Sequence, residues 1–235
     1  MFVFHNGSFG RRMLKRELAK IDIHYSEYKI SRIMKYLQLE PKYGRKKLKN
    51  VHTSDKTEKY IHDNIYKTLT PYEKENLEIW SMDFTEQKVQ DKKIFTCGII
   101  SVNKKLIVGF SIGHSCNTKL ACEALCMAIE KYGAPYLIMT DRGSAFTSKM
   151  FFDILQKHNV IHSMSRPHRP ADNIFIETFW KSMKIEIGKL TLLDEYQYIM
   201  VVTYYMHYYN FQRPHSSIGY LTPIEYTCKK LSFNI

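Results

Sequence analysis

Asp83, Asp141 and Glu177 are acids set among apolar neighbours. Asp83 interrupts the run "IWSMDF", Asp141 ends "YLIMT" and is followed at once by "RGSAF", and Glu177 opens onto "TFWKSMKIEI". Taken alone, each has an ordinary use: a mid-strand Asp on a solvated face, an Asp before Gly as a turn former, a Glu on a helix surface. Together they suggest more. Three carboxylates converging in water-poor surroundings repel one another unless divalent cations sit between them. Oxygen ligands with no Cys or His pair close by favour Mg2+ or Mn2+ over zinc. Two such ions about 3.5 to 4 Å apart can activate an attacking oxygen and stabilise a leaving one in phosphodiester chemistry.

The stretch "DNIFIETFWKSMKIEI", residues 172–187, reads as an amphipathic helix with Ile174, Phe175, Phe179 and Met183 available to a core. Glu177, Lys181 and Lys184 share its other side, because offsets of four and seven stack side chains one turn above another. An acid for metal followed by bases for DNA phosphates is the expectation this stripe raises. Arg166 and Asn173, just ahead of it, are candidates to position DNA or the helix itself.

Elements that could bring these residues together follow from the periodicity. Runs at 79–85, 94–102 and 106–112, separated by "QDKK" and "NKK", read as strands of an antiparallel meander. Then "TKLACEALCMAIEKY" reads as a helix, "PYLIMTD" as a buried strand, "SKMFFDILQKHN" as a helix and "VIHSMS" as a strand before the helix at 172–187. The order β-β-β-α-β-α-β-α is that of a mixed α/β sheet covered by helices. At a strand end, Asp141 would face the cleft such sheets use for ligands.

Ahead of this block, "RRMLKRELAK" and "SEYKISRIMKYLQL" carry apolar residues at helical spacing, with Ser26 as N-cap of the second helix. They read as a helix-turn-helix, or more plainly as a helical hairpin. The stretch "PKYGRKKLKN" concentrates Arg45, Lys46 and Lys47 in a Pro- and Gly-containing arm suited to phosphate contacts. The expected organisation is a DNA-binding segment over 1–49, a polar linker over 50–76 and a catalytic core with a helical tail over 77–235.

Composition agrees with a nucleic-acid partner. The formal charge is +12, and residues 1–75 hold 17 basic against 9 acidic residues. No run approaches the roughly 18 apolar residues of a membrane span. Five cysteines without a C-x-x-C pair point to a reduced, cytoplasmic setting. Cys122 and Cys126 are expected in the core. His158 and His162 have the four-residue spacing of a metal pair, but the helix carrying His158 is expected to stop near Asn159. The Tyr-rich stretch from Glu195 is expected to be a packed helix, with stacking on unpaired bases as the other use of such aromatics.

The motifs "WSMDFT", "MTDRGSAFTS", "HSMSRPHRPADNIFIETFWKSMKIE" and "YNFQRPHSSIGYLTPIEY", in this order, resemble the DDE transposase and retroviral-integrase superfamily, and within it the bacterial insertion sequence family three. "GSFGRRMLKRELAK" is similar to that family's helix-turn-helix segment. The resemblance implies an RNase H-like core, with Asp83, Asp141 and Glu177 as ligands of two Mg2+ (or Mn2+) ions. It further implies a homo-oligomer acting on double-stranded DNA in the bacterial cytoplasm, associated with the nucleoid. Water would first attack a phosphodiester at the element end, and the freed 3′-OH would then attack a second DNA phosphodiester. Members of the family commonly carry further residues ahead of this segment. A second reading therefore stays open: a truncated, catalytically silent protein that binds element ends.

Overall fold

The computed structural model describes residues 1–42, 61–166 and 170–232. Arg45, Lys46 and Lys47 lie outside these residues. The chain divides into two compact units. One gathers the N-terminal helices with Lys181–Lys189 and the segment from His207 onward. The other gathers the sheet, the residues up to Trp180 and Leu190–Met206.

In the first unit, α1 (Arg11–Ala19) and α2 (Glu27–Tyr36) are joined by a short turn. The Ser26 hydroxyl accepts from the Lys29 N–H at 3.2 Å and caps α2 as expected. Phe9, Leu14, Ile30 and Met34 form the buried seam. Ile21 and Leu37, though in phase with it, fall beyond the helix ends and are exposed. The same unit buries an ion pair in which the Arg213 guanidinium donates to Glu186 at 2.7 and 2.9 Å. His5 is buried and stacked on Phe9, and its Nδ1 lies 2.8 Å from the Tyr208 hydroxyl. Burial holds the His5 pKa down at about 4.

The second unit is built on a five-stranded sheet in the order β3-β2-β1-β4-β5. Its strands are β1 (Ile79–Val89), β2 (Lys92–Ser101), β3 (Ile107–Gly113), β4 (Leu137–Thr140) and β5 (Ile161–Met164). β1, β2 and β3 make the antiparallel meander, whereas β4 and β5 pair in parallel, β4 against β1. A parallel pair needs a long crossover, and α4 (Thr118–Tyr132) and α5 (Lys149–Lys157) supply the two required. Among the described residues no helix is long and apolar enough to cross a membrane.

Some elements differ in detail from the periodicity. Residues 61–76, expected as linker, contain a 3-10 turn at Ile65–Lys67 and the helix α3 (Pro71–Asn76), and Leu69 is buried with Ile79, Val102, Leu137 and Met139. The Thr70 and Glu73 side chains cap α3 reciprocally. Cys122 is buried but Cys126 is exposed, a correction to the expected core. The buried stripe of α4 runs through Ala121, Leu125 and Ala128, and one residue's rotation past Leu125 carries Cys126 off it. α5 ends at Lys157, so His158 is a cap residue and His162 lies on β5, with no shared helix face. The Tyr-rich helix α7 (Glu195–Phe211) is packed along one side, burying Tyr198 and Tyr205, while Tyr196 and Tyr204 are exposed.

Candidate active site

Asp83 and Asp141 are brought level by strand register. β1 and β4 pair in parallel with Ser81 opposite Met139. Continued two residues past this last pair, the same alignment would bring Asp83 level with Asp141, which follows β4 directly, the two strands running about 4.8 Å apart. Residues offset by two point to the same side of a sheet, so both acids lie on the face that carries Ser81. Asp83 is half-buried in the middle of β1, and Asp141 begins the loop after β4.

That loop is shaped around Asp141. The Gly143 N–H donates to Asp141 Oδ1 at 2.8 Å, and a Cβ at position 143 would stand 2.9 Å from the same oxygen. A side chain there would crowd the carboxylate. The Arg142 Nε donates to the Ser165 carbonyl at 3.0 Å and ties the loop to the end of β5. On the other face of the sheet, the Thr140 hydroxyl donates to the Asp141 carbonyl at 2.8 Å and meets His162 Nε2 at 2.9 Å. Its one proton is spent on the carbonyl, so His162 donates through Nε2. Burial and the nearby His62 hold the His162 pKa down at about 3.

Glu177 comes from α6 (Ile174–Ile187), whose entry is fixed by Asn173. The Ser81 hydroxyl donates to Asn173 Oδ1 at 2.6 Å, and Asn173 Nδ2 donates to the Met82 carbonyl at 3.2 Å. Asn173 thus seats the start of the helix on β1 beside Asp83, and Glu177 follows one turn later. Preceding it, Asp172 accepts from the Arg166 N–H at 3.1 Å, from Arg166 Nε at 3.0 Å and from Asn64 Nδ2 at 2.8 Å, with Lys67 Nζ at 2.7 Å. Burial pushes this carboxyl up, but the bonds from Arg166, Lys67 and Asn64 outweigh it and hold the pKa below the ordinary range. The Arg166 guanidinium is therefore engaged in anchoring the helix entry.

Electrostatics link the acids. Although Asp141 is open to solvent, the protein around it strips part of its hydration and raises its pKa, with the Gly143 bond pulling the other way. Loss of hydration also raises Glu177, and the charge of Asp141 adds to the rise. The Cys97 and Cys116 thiols are raised by burial and then by both Asp83 and Asp141, and Cys116 reaches about 11. The three carboxylates are not drawn into a closed ligand set: among the described residues no three acidic, His or Cys side chains form a ready metal cluster. Lys181 and Lys184 are exposed further along α6.

Sequence reasoning passed over four residues that shape this site: Ser81, Gly98, Asp172 and Trp180. Gly98 pairs with Asp83 across β1 and β2, and Trp180 lies against it. A Gly inside an otherwise apolar strand is the signal that could have pointed there. The partners of Asp172 come from segments remote in sequence and leave no local trace.

Comparison with known proteins bears on the family and the fold. The Integrase core domain description matches residues 73–170, and a second of the same description matches 158–223. The transposase for insertion sequence element IS904 of Lactococcus lactis is 26% identical over 234 residues, spanning 96% of this chain and 90% of that protein. Transposase InsF for insertion sequence IS3A of Escherichia coli is 29% identical over 157 residues. That match takes in 65% of this chain and about half, 54%, of the relative. Among solved structures, the catalytic core domain of BIV integrase superposes with a TM-score of 0.53 at 16% identity, covering 68% of this chain and 100% of that one. The HTLV-2 integrase catalytic core domain in complex with magnesium does so at 0.51 and 17%, covering 63% and 94%. At these identities the structures speak for the fold, and it is that of the retroviral integrase core, RNase H-like. With integrase-core matches running in succession from residue 73 to 223 and transposase relatives along nearly its whole length, the chain belongs to the integrase-core transposases of the bacterial insertion sequence family three.

Proposed function

We propose that this chain is the transposase of an insertion sequence, cleaving DNA at the element ends and joining the freed strand to target DNA, with Asp83, Asp141 and Glu177 as the catalytic carboxylates. One observation carries the assignment. The parallel register of β1 and β4 pairs Ser81 with Met139, two residues ahead of Asp83 and Asp141, and Ser81 is also where Asn173 seats the helix bearing Glu177. The donor set fits a hard divalent cation: all three offer carboxylate oxygens, and of these Asp141 is raised in pKa by lost hydration and Glu177 by lost hydration and the charge of Asp141, a strain that bound positive charge relieves. Mg2+ or Mn2+, as two ions, would be held by Asp83, Asp141 and Glu177. When bound they would supply charge stabilisation to the attacking and leaving oxygens of an in-line displacement.

The rest of the work falls to the chain itself. Gly143 orients Asp141 through its N–H, Asn173 orients the Glu177 helix through Ser81 and Met82, and the Arg166–Asp172 pair fastens the chain where that helix begins. No side chain needs to form a covalent intermediate, since each step exchanges one oxygen for another at phosphorus. Lys181 and Lys184 would meet DNA phosphates, and the α1–α2 pair, read as a helix-turn-helix within a DNA-binding segment over 1–49, would hold the element end. Several copies of the chain would assemble on double-stranded DNA, and one chain of the simian T-cell lymphotropic virus intasome shares this fold at a TM-score of 0.51.

The test is single-turnover nicking and strand transfer on a duplex carrying the terminal repeat that flanks this reading frame, with Mg2+ or Mn2+. Asp141→Asn should abolish both reactions and leave DNA binding largely intact. A variant that cleaves as well as the parent would remove the metal-site assignment.

A further inference from the structure

Gly98 sits opposite Asp83 in the β1–β2 ladder. Its backbone is not in the left-handed region, so conformational freedom does not explain a glycine here. Space does. A Cβ at position 98 would stand 2.6 Å from Cη2 and 2.8 Å from Cζ2 of Trp180, closer than real contacts allow. Trp180 is only 5% exposed, and Phe179 packs against it with ring centroids 4.8 Å apart, so the indole has little room to retreat. Its Nε1 is buried and finds no hydrogen-bond partner among the described residues. A buried donor left unpaired is a cost, so the side chain is kept for its size and shape.

These contacts make a two-point suspension. Asn173 fixes the start of α6 to β1 through Ser81 and Met82, and Trp180, seven residues on, rests on β2 at Gly98. Glu177 lies between the two supports. Resting on the active-site reading above, we infer that Gly98 and Trp180 are positioning residues that set the height of the Glu177 helix above Asp83, and so the span the metal ions must bridge. A methyl group at position 98 would lift the helix at this support and widen the site without altering any carboxylate.

The geometry prescribes its own rescue. Cη2 and Cζ2 belong to the benzo ring of Trp, which Phe lacks, so Trp180→Phe vacates the space that the new methyl of Gly98→Ala would need and breaks no hydrogen bond. Cleavage of the terminal-repeat duplex is measured for the parent, Asp141→Asn, Gly98→Ala, Trp180→Phe and the Gly98→Ala/Trp180→Phe double variant across a Mg2+ titration. Melting curves and circular dichroism are recorded for each. Gly98→Ala should lower kcat by roughly 10- to 100-fold, the usual cost of losing support behind a metal ligand, and raise the Mg2+ concentration required. KM for DNA should stay near the parental value. Trp180→Phe should lose less, and the double variant should recover most of the Gly98→Ala loss in both kcat and Mg2+ requirement.

Parental turnover and Mg2+ dependence in Gly98→Ala would overturn the inference. So would a folded double variant no better than Gly98→Ala, and this second comparison decides the matter if Gly98→Ala alone does not fold. Failure of the underlying active-site reading looks different: Asp141→Asn would then cleave like the parent.

Discussion

Asp172 and Asp141 are aspartates of the same unit, and the protein equips them in opposite ways. Asp172 is given a backbone N–H, the Arg166 guanidinium, the Asn64 amide and the Lys67 ammonium, while among the described residues Asp141 is given the Gly143 N–H. One carboxylate is neutralised from within and its pKa is held down; the other is left short of positive charge and its pKa is raised. On the proposed function, the difference separates a carboxylate that holds the fold from one that would hold a metal ion. A structural acid comes with its counter-charges, whereas a site acid keeps an opening for a cation from outside.

This contrast can be broken experimentally, and Asp141→Asn should do so most severely. Its loss of single-turnover cleavage should exceed the roughly 10- to 100-fold that follows removal of a supporting partner. Asp172→Asn should act on the other side of the contrast, by stability: a buried acceptor of charged donors is worth about 1.5–3 kcal/mol, read as a lower denaturant midpoint. Any fall in its cleavage should be smaller than that of Asp141→Asn. Asn173→Ala should fall between the two kinds of effect. It leaves the buried Ser81 hydroxyl without its acceptor, at about 1–3 kcal/mol, and should lower kcat more than DNA affinity.

Acid pH should sharpen the contrast further. Asp141 and Glu177 have raised pKa values, so as pH falls they take up protons before an ordinary carboxylate would, and Mg2+ affinity should decline from above about pH 4. Asp172 has a lowered pKa, so the stability it contributes is complete above the unfolded value of about 3.9 and is lost only as pH falls through the folded one. Acidification should thus release metal, followed calorimetrically, before it loosens the Arg166–Asp172 anchor. The smallest effect expected is that of Lys181→Ala: DNA binding weakened alike on all sequences, with the salt slope reduced by about one.

Much of this design was legible in the residues themselves. The meander, α4 over Thr118–Tyr132 and the strand ending just before Asp141 follow from hydrophobic period and turn residues, because both faces of this sheet must be covered. Asp83, Asp141 and Glu177 stand out for a related reason, being charges where burial is expected. What stayed hidden depends on partners far away in the chain. Asp172 looks like the first residue of a helix until Asn64 and Lys67 are seen against it, and the helix in fact starts at Ile174. Gly98 looks like a weak point in a strand until Trp180 occupies the room it leaves. Arg166 looks like a free base until Asp172 engages it.

The parallel pairing of β1 with β4 also bears on when the chain becomes able to cut DNA. β1, β2 and β3 join through short turns and can pair as soon as they are made, but β4 reaches β1 only after α4 has crossed the sheet, and α6 follows later still. Long-range parallel pairing is the slow part of folding such a sheet. During synthesis Asp83 therefore waits for Asp141, and both wait for Glu177. On the proposed function, the ability to break a phosphodiester would be conferred late, when the core is nearly complete.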